Sequence, residues 1–136
     1  MFGACFGHQA IAMALGGTVG PNPDGWVLGQ IKTMMNGAPI RLYAAHREQV
    51  LTLPAGAQVL GGNNDCPIGS FAVGSKILTT QYHPEMTSDF IRALVNHLQG
   101  ALPAAVIALA HASLGQKAET GRISQAIVDF LEQATL

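Results

Sequence analysis

This sequence has little charge. Asp, Glu, Lys and Arg make up only 11% of its 136 residues, and the formal net charge is −1. A chain with no basic excess has no electrostatic footing on nucleic acid or on an anionic membrane surface. There are two cysteines, Cys5 and Cys66. That is too few for a disulfide framework, and without further ligands at suitable spacing they do not suggest zinc. No apolar run reaches the roughly 18 residues of a membrane span. The longest candidate, Ala101–Ala112, is interrupted by Pro103 and His111. The first residues carry no basic segment, and Gly3, Cys5, Gly7 and His8 break up any apolar core, so a secretory leader is not expected. Free thiols and no export signal point to a cytoplasmic setting. No nucleotide fingerprint, ATP loop or cofactor motif is visible.

Apolar residues are plentiful, at 49%, which supplies a core and argues against disorder. With no repeat, low-complexity tract or convincing linker, residues 1–136 read as one unit of ordinary domain size. Met1–Cys5 reads as the end of a buried strand, and His8–Leu15 as a helix stopped by Gly16-Gly17. Pro21–Gly25 is a loop that delivers Trp26 to an extended segment, Val27–Met34. Asn36-Gly37 marks a turn. Strands are expected at Ile40–Tyr43, Val50–Leu53, Ala57–Leu60, Ser70–Val73 and Ile77–Tyr82. The second half turns helical, at Thr87–Gln99, about Ala104–Ser113 and Ile123–Ala134. Thr87 or Ser88 caps the first of these helices. Phe90, Leu94 and either Val95 or Leu98 form its inner face, as Ile123, Ile127, Phe130 and Leu131 do in the last. Strands mixed with helices, opening on strand–turn–helix, predict an α/β layered fold.

Gly3-Ala4-Cys5-Phe6-Gly7 has the form G-x-C-x-G. With serine, that spacing is a nucleophile elbow, a strained strand-to-helix turn. Glycines two before and two after the nucleophile let strand and helix approach without a Cβ clash. The following helix points its N-terminus at the sulfur, which favours thiolate, and the backbone N–H of Phe6 sits where an oxyanion forms. The pentapeptide alone fits a buried structural cysteine equally well.

A cysteine nucleophile needs a base and an orienting group. His83 stands in Gln81-Tyr82-His83-Pro84-Glu85, at the end of an apolar strand, where catalytic groups gather in open α/β sheets. Pro84 holds His83 extended, so His83 and Glu85 project to one side and Glu85 can fix the imidazole tautomer. Alone, His-Pro-Glu is a surface turn; coupled to a cysteine elbow it completes a triad. His8, His97 and His111 read as packing or surface residues, and Cys66 as structural.

Together, Gly3-Ala4-Cys5-Phe6-Gly7-His8-Gln9, Tyr43–Val50, Asn63–Phe71 and His83-Pro84-Glu85 resemble the class I, triad-type glutamine amidotransferase domain, in particular stand-alone members similar to the amidotransferase domain of GMP synthase. The resemblance covers about residues 1–98; the helical tail 101–136 matches less distinctively. It implies a three-layer, flavodoxin-like sheet with helices. It also implies glutamine amide hydrolysis through Cys5, His83 and Glu85, with a γ-glutamyl thioester and release of ammonia. By their positions in the matching motifs, Phe6, Gln9, His46 and Arg47 contact L-glutamine, the last two near its α-amino and carboxylate groups. No metal or cofactor is implied. The sequence does not name the ammonia acceptor; with no synthetase domain in this chain, an acceptor such as a synthetase partner would lie on another chain. The alternatives are a γ-glutamyl hydrolase or cysteine peptidase of the same fold, or a silent binding or regulatory domain.

The sequence departs from the family in one respect. There, strands precede the elbow, and a glycine-rich loop among them supplies a second oxyanion N–H. The expectation is therefore a domain lacking its N-terminal strands, with Met1 standing for an internal start. Loss of one oxyanion donor costs about 2.7–4 kcal/mol of transition-state stabilisation. Bare strand edges also favour association, so the chain alone is expected to be weakly active or inactive and prone to aggregate or to form a homo-oligomer.

Overall fold

The first element is a strand that turns at once into a helix. In the computed structural model, which describes residues 1–134, β1 (Phe2–Ala4) leads into α1 (Phe6–Ala14) through Cys5. There follow β2 (Thr18–Pro21), β3 (Val27–Met35), β4 (Ala38–His46) and β5 (Glu48–Thr52). Next come β6 (Ala57–Gly61), β7 (Ser70–Val73) and β8 (Ile77–Thr80), then α2 (Ser88–His97), α3 (Ala104–Ser113) and α4 (Thr120–Ala134).

The strands form one four-stranded sheet, in the order β1-β8-β7-β6, and two ribbons, β2–β5 and β3–β4. Among the described strands only the β1–β8 pair is parallel, with Phe2 opposite Leu78 and Ala4 opposite Thr80. This single parallel pair places the site. Two parallel strands end on the same side, so the residues after Ala4 and those after Thr80 emerge together. Among the described residues β1 has a strand partner on one side only and forms the edge of this sheet.

Asn36-Gly37 turns the chain between β3 and β4. Both residues have positive φ, 49° and 78°, the conformation of a two-residue hairpin loop whose twist matches its strands. That match lets pairing run unbroken from Met35–Ala38 to Val27–His46, so β4 is longer than the expected Ile40–Tyr43. β2 was not expected and pairs with β5. β8 stops at Thr80, two residues early, because the chain leaves the ladder there: Gln81 N–H donates to the Gly69 carbonyl (2.8 Å) and His83 N–H to that of Tyr43 (3.0 Å).

Helices α2 and α3 bury Ile91, Val95, Ile107 and Ala110 against Leu28 and Tyr43 of the β3–β4 ribbon. Each fully buried aliphatic side chain is worth about 1.5–3 kcal/mol. Ile123 of α4 packs with Ile40, Leu42 and Tyr82, while Ala12, Val50 and Phe71 form a third cluster under α1. The segment after Ala101 is thus part of the core.

Thr87 caps α2, its hydroxyl accepting from Phe90 N–H at 3.2 Å. Phe90, expected on the inner face, is 55% exposed, while Ile91 and Val95 are buried and Leu94 and Leu98 pack at the margin. The buried stripe starts one residue later, and one residue turns a helix by about 100°. Leu131 of α4 likewise points outward, 45% exposed, although Ile123 is buried.

Candidate active site

Cys5 is the N-cap of α1, with φ 49° and ψ −106°. Positive φ is rare for a residue with a Cβ and marks stored backbone strain. The surrounding structure holds it there. Cys5 N–H donates to the Thr80 carbonyl at 2.8 Å, extending the β1–β8 ladder by one bond, and its own carbonyl accepts from Gln9 N–H at 3.2 Å. The turn is tight because Gly3 lies against the helix: a Cβ on Gly3 would meet the carbonyl carbon and oxygen of Gly7 at 2.8 Å. At Gly7 the expectation of a steric need is corrected, since a Cβ there would meet nothing within 4 Å. What the turn needs at residue 7 is the backbone itself, against which Gly3 packs. The Phe6 N–H opens the helix, where backbone donors lack intrahelical acceptors, and no side chain caps them.

His83 follows β8 and reaches Cys5 from the neighbouring strand end. Its Nδ1 lies 2.6 Å from Glu85 Oε1, with the two side chains 15% and 63% exposed. Burial alone lowers the His83 pKa, but hydrogen bonds with Cys5 and Glu85, reinforced by their charges, outweigh it and raise the imidazole to about 9.

An open cleft of about 360 Å³ lies over the elbow, lined by Cys5, Phe6, Gln9, Trp26, His46 and Arg47 among others. Five of these are residues the sequence singles out; Trp26 is an addition, and His83 and Glu85 are not part of the cleft lining. Phe6 is 78% exposed. His46 is 4% exposed, and its Nδ1 meets the Glu48 carbonyl at 3.0 Å. A carbonyl only accepts, so Nδ1 carries the proton and Nε2 is a bare acceptor. Nε2 has no partner. Burial chiefly, opposed by the bond to Glu48 and aided by His83, lowers His46 to about 4, so it is neutral near pH 7. Arg47 makes no ion pair among the described residues.

Sequence reasoning left Gln81 unassigned. It is 0% exposed, and its Nε2 stands 3.6 Å from Cys5 Sγ. The signal was there, since residues two apart in an extended segment share a side and Gln81 precedes His83 by two. His8, read as packing, is fully buried, with Nδ1 2.8 Å from Thr79 Oγ1 and Nε2 3.1 Å from the Ile68 carbonyl. Burial lowers it to about 4. Cys66 is 1% exposed, and burial pushes its thiol up to about 12. A larger cavity, about 380 Å³, lies between α4 and the sheet face that carries Ser70, Leu78 and Thr80, and contains none of the candidate residues. Among the described residues no cluster of His, Cys, Asp or Glu is placed to hold a metal, and no helix is long and apolar enough to cross a membrane.

Residues 1–93 match the model of the family "Glutamine amidotransferase class-I", and the chain belongs to that family. Among its relatives, the Saccharomyces cerevisiae protein YLR126C is 37% identical over 95 residues, covering 64% of this chain and 38% of that protein. Gamma-glutamyl peptidase 2 of Arabidopsis thaliana is 29% identical over 111 residues, covering 72% and 44%. The glutamine-hydrolyzing GMP synthase of Aeropyrum pernix is 32% identical over 95 residues, covering 63% and 18%. The chain thus spans less than half the length of each of these relatives. A solved glutamine amidotransferase from Thermotoga maritima shares the fold, with a TM-score of 0.71 at 20% identity over 98% of this chain and 61% of that one. That likeness extends through the segment after residue 93 that the family model leaves out.

Proposed function

We propose that the cleft over Cys5 hydrolyses the side-chain amide of glutamine. The observation that carries this is a strained cysteine at a helix N-terminus, beside a histidine whose ring a carboxylate in turn holds, all within the family match. The His83 imidazolium sits where it can neutralise a thiolate. Cys5 Sγ attacks the amide carbon, and the Phe6 N–H takes the charge that develops on oxygen. His83 gives its proton to the amide nitrogen, the C–N bond breaks, ammonia leaves and a γ-glutamyl thioester remains. Water then adds to the thioester while His83 takes its proton, the C–S bond breaks and glutamate departs.

Glutamine is held by its far end. The bare Nε2 of His46 suits an α-ammonium donor and the unpaired Arg47 an α-carboxylate, with Gln9 and Phe6 along the chain between. Ammonia passes to an acceptor on another chain, as a synthetase partner would provide. The free thiols of Cys5 and Cys66 suit a reducing cytoplasm.

Glutamate and ammonia formation from glutamine tests this, alongside labelling by a diazoketone analogue of glutamine. Stoichiometric modification at Cys5 supports the proposal; glutamine turnover that persists in Cys5→Ala overturns it. Hydrolysis of γ-glutamyl peptides is the second reading, favoured by the likeness to gamma-glutamyl peptidase 2 over 72% of the chain. Comparing glutamine with γ-glutamyl dipeptides as substrates separates the two.

A further inference from the structure

Gln81 is a buried amide whose environment fixes which way it faces. Oxygen and nitrogen of a side-chain amide are distinguished by their hydrogen bonds alone, so the partners decide. The starting point is the carbonyl of Glu48, which can only accept. Gln9 Nε2 lies 2.8 Å from it, so that end of Gln9 is the NH₂ group. The same Nε2 lies 3.1 Å from the Gln81 side chain. Having only donors to offer, it must meet the oxygen of Gln81. With Oε1 committed to Gln9, the NH₂ of Gln81 faces Cys5 Sγ, 3.6 Å away, within reach of a sulfur acceptor. The Glu48 carbonyl also receives His46 Nδ1 at 3.0 Å, so one backbone oxygen orients both His46 and, through Gln9, the group on the sulfur.

We propose that Gln81 donates an N–H to the Cys5 sulfur, holding Sγ in place and favouring its anion, and that Gln9 is the positioning residue that keeps Gln81 turned that way. A hydrogen bond to a charged acceptor is stronger than one to a neutral acceptor, so this donor favours thiolate over thiol. It also gives Gln9 a role besides lining the cleft. The tautomer of His83 is set separately, by Glu85.

Gln81's role rests on Cys5 acting as nucleophile, but its test does not require turnover. The measurement is the rate of Cys5 alkylation by iodoacetamide against pH, on the full chain, with fold checked by circular dichroism. The charged or titratable groups around the sulfur are His83 with Glu85, from the segment after β8, and His46, Arg47 and Glu48 from the β4–β5 junction; the first turn of α1 has no acidic residue. Gln81→Met, which keeps the length and loses the donor, leaves all of these in place.

The expected result is an alkylation profile displaced to higher pH, with the rate at pH 7 down about tenfold and the alkaline plateau undiminished, since a more basic sulfur is the better nucleophile. Gln9→Met is expected to displace the profile in the same direction by less, because Gln81 is then free to turn. Gln81→Asn, one methylene short, fails to restore the profile. A folded Gln81→Met chain with the wild-type profile overturns the role of Gln81. A displaced profile in Gln81→Met with none in Gln9→Met overturns the role of Gln9. If glutamine is not hydrolysed yet the profile moves, the reading of the reaction falls and the Gln81 contact stands.

Discussion

Nδ1 of His83 lies 2.6 Å from Oε1 of Glu85, two residues along the same segment. Engaging Nδ1 in this way leaves Nε2 as the ring nitrogen available to the sulfur. The pair needs no tertiary contact to form, whereas the meeting of His83 with Cys5 depends on the parallel β1–β8 register.

That contact sets an expected pH limit. His83 is raised to about 9 by its bonds with Cys5 and Glu85, against burial, so it stays an imidazolium up to that pH. Loss of kcat/KM for glutamine is expected as pH rises through about 9. Glu85→Gln removes the carboxylate, so the alkaline limb moves toward the ordinary value near 6.5, and kcat falls by about tenfold or more. An unmoved limb in a pH–rate series shows that Glu85 does not tune His83.

Modification by the diazoketone is expected at Cys5 alone, in one copy per chain by mass spectrometry. Cys66 is buried, and its thiol, pushed up to about 12, stays protonated. Cys5→Ala abolishes labelling, while Cys66→Ala leaves it intact. Equal labelling of both cysteines contradicts the assignment.

The two glycines of the elbow are expected to behave oppositely. Gly3→Ala drives a methyl into the backbone of Gly7 and costs about 1–3 kcal/mol in urea denaturation. Gly7→Ala meets open space in the first turn of α1 and gains about 0.5 kcal/mol from helix propensity. Similar losses for both refute the packing account.

Three histidines shape stability against pH. His8 and His46 have folded pKa values lowered to about 4, so each loses stability as pH falls from about 6.5 toward 4, at up to about 1.4 kcal/mol per pH unit. His83 is raised to about 9, and its contribution, complete below 6.5, is lost between 6.5 and 9. The histidine-controlled part of stability therefore peaks near pH 6.5. Urea titrations at pH 5, 6.5 and 9 check this, and His8→Gln, which does not titrate, is expected to flatten the acid side.

Much of this site was legible because its chemistry is local. Gly3, Cys5 and Gly7 carry the elbow in five consecutive residues, and His83-Pro84-Glu85 carries the proposed base and its orienter in three. The helices were legible too, from apolar spacing and Thr87, although the inner face of α2 was set one residue off because Phe90 and Ile91 are both apolar. Which of two adjacent apolar residues turns inward depends on the surface it meets, here Leu28 and Tyr43.

The sequence by itself determined the strained turn at Cys5, the histidine–glutamate pair, and the α/β class with its helices. Those features depend on neighbours in the chain and on backbone preferences. Tertiary structure alone decided that Cys5 and His83 meet, that Gln81 turns its nitrogen to the sulfur, and that His46 keeps an unpartnered one. The first two join segments far apart in the chain through the parallel pairing of β1 with β8 and the packing of α1 beside β5. A hydrogen bond also has a direction, which no spacing of residue types records until the partner's oxygen is in place.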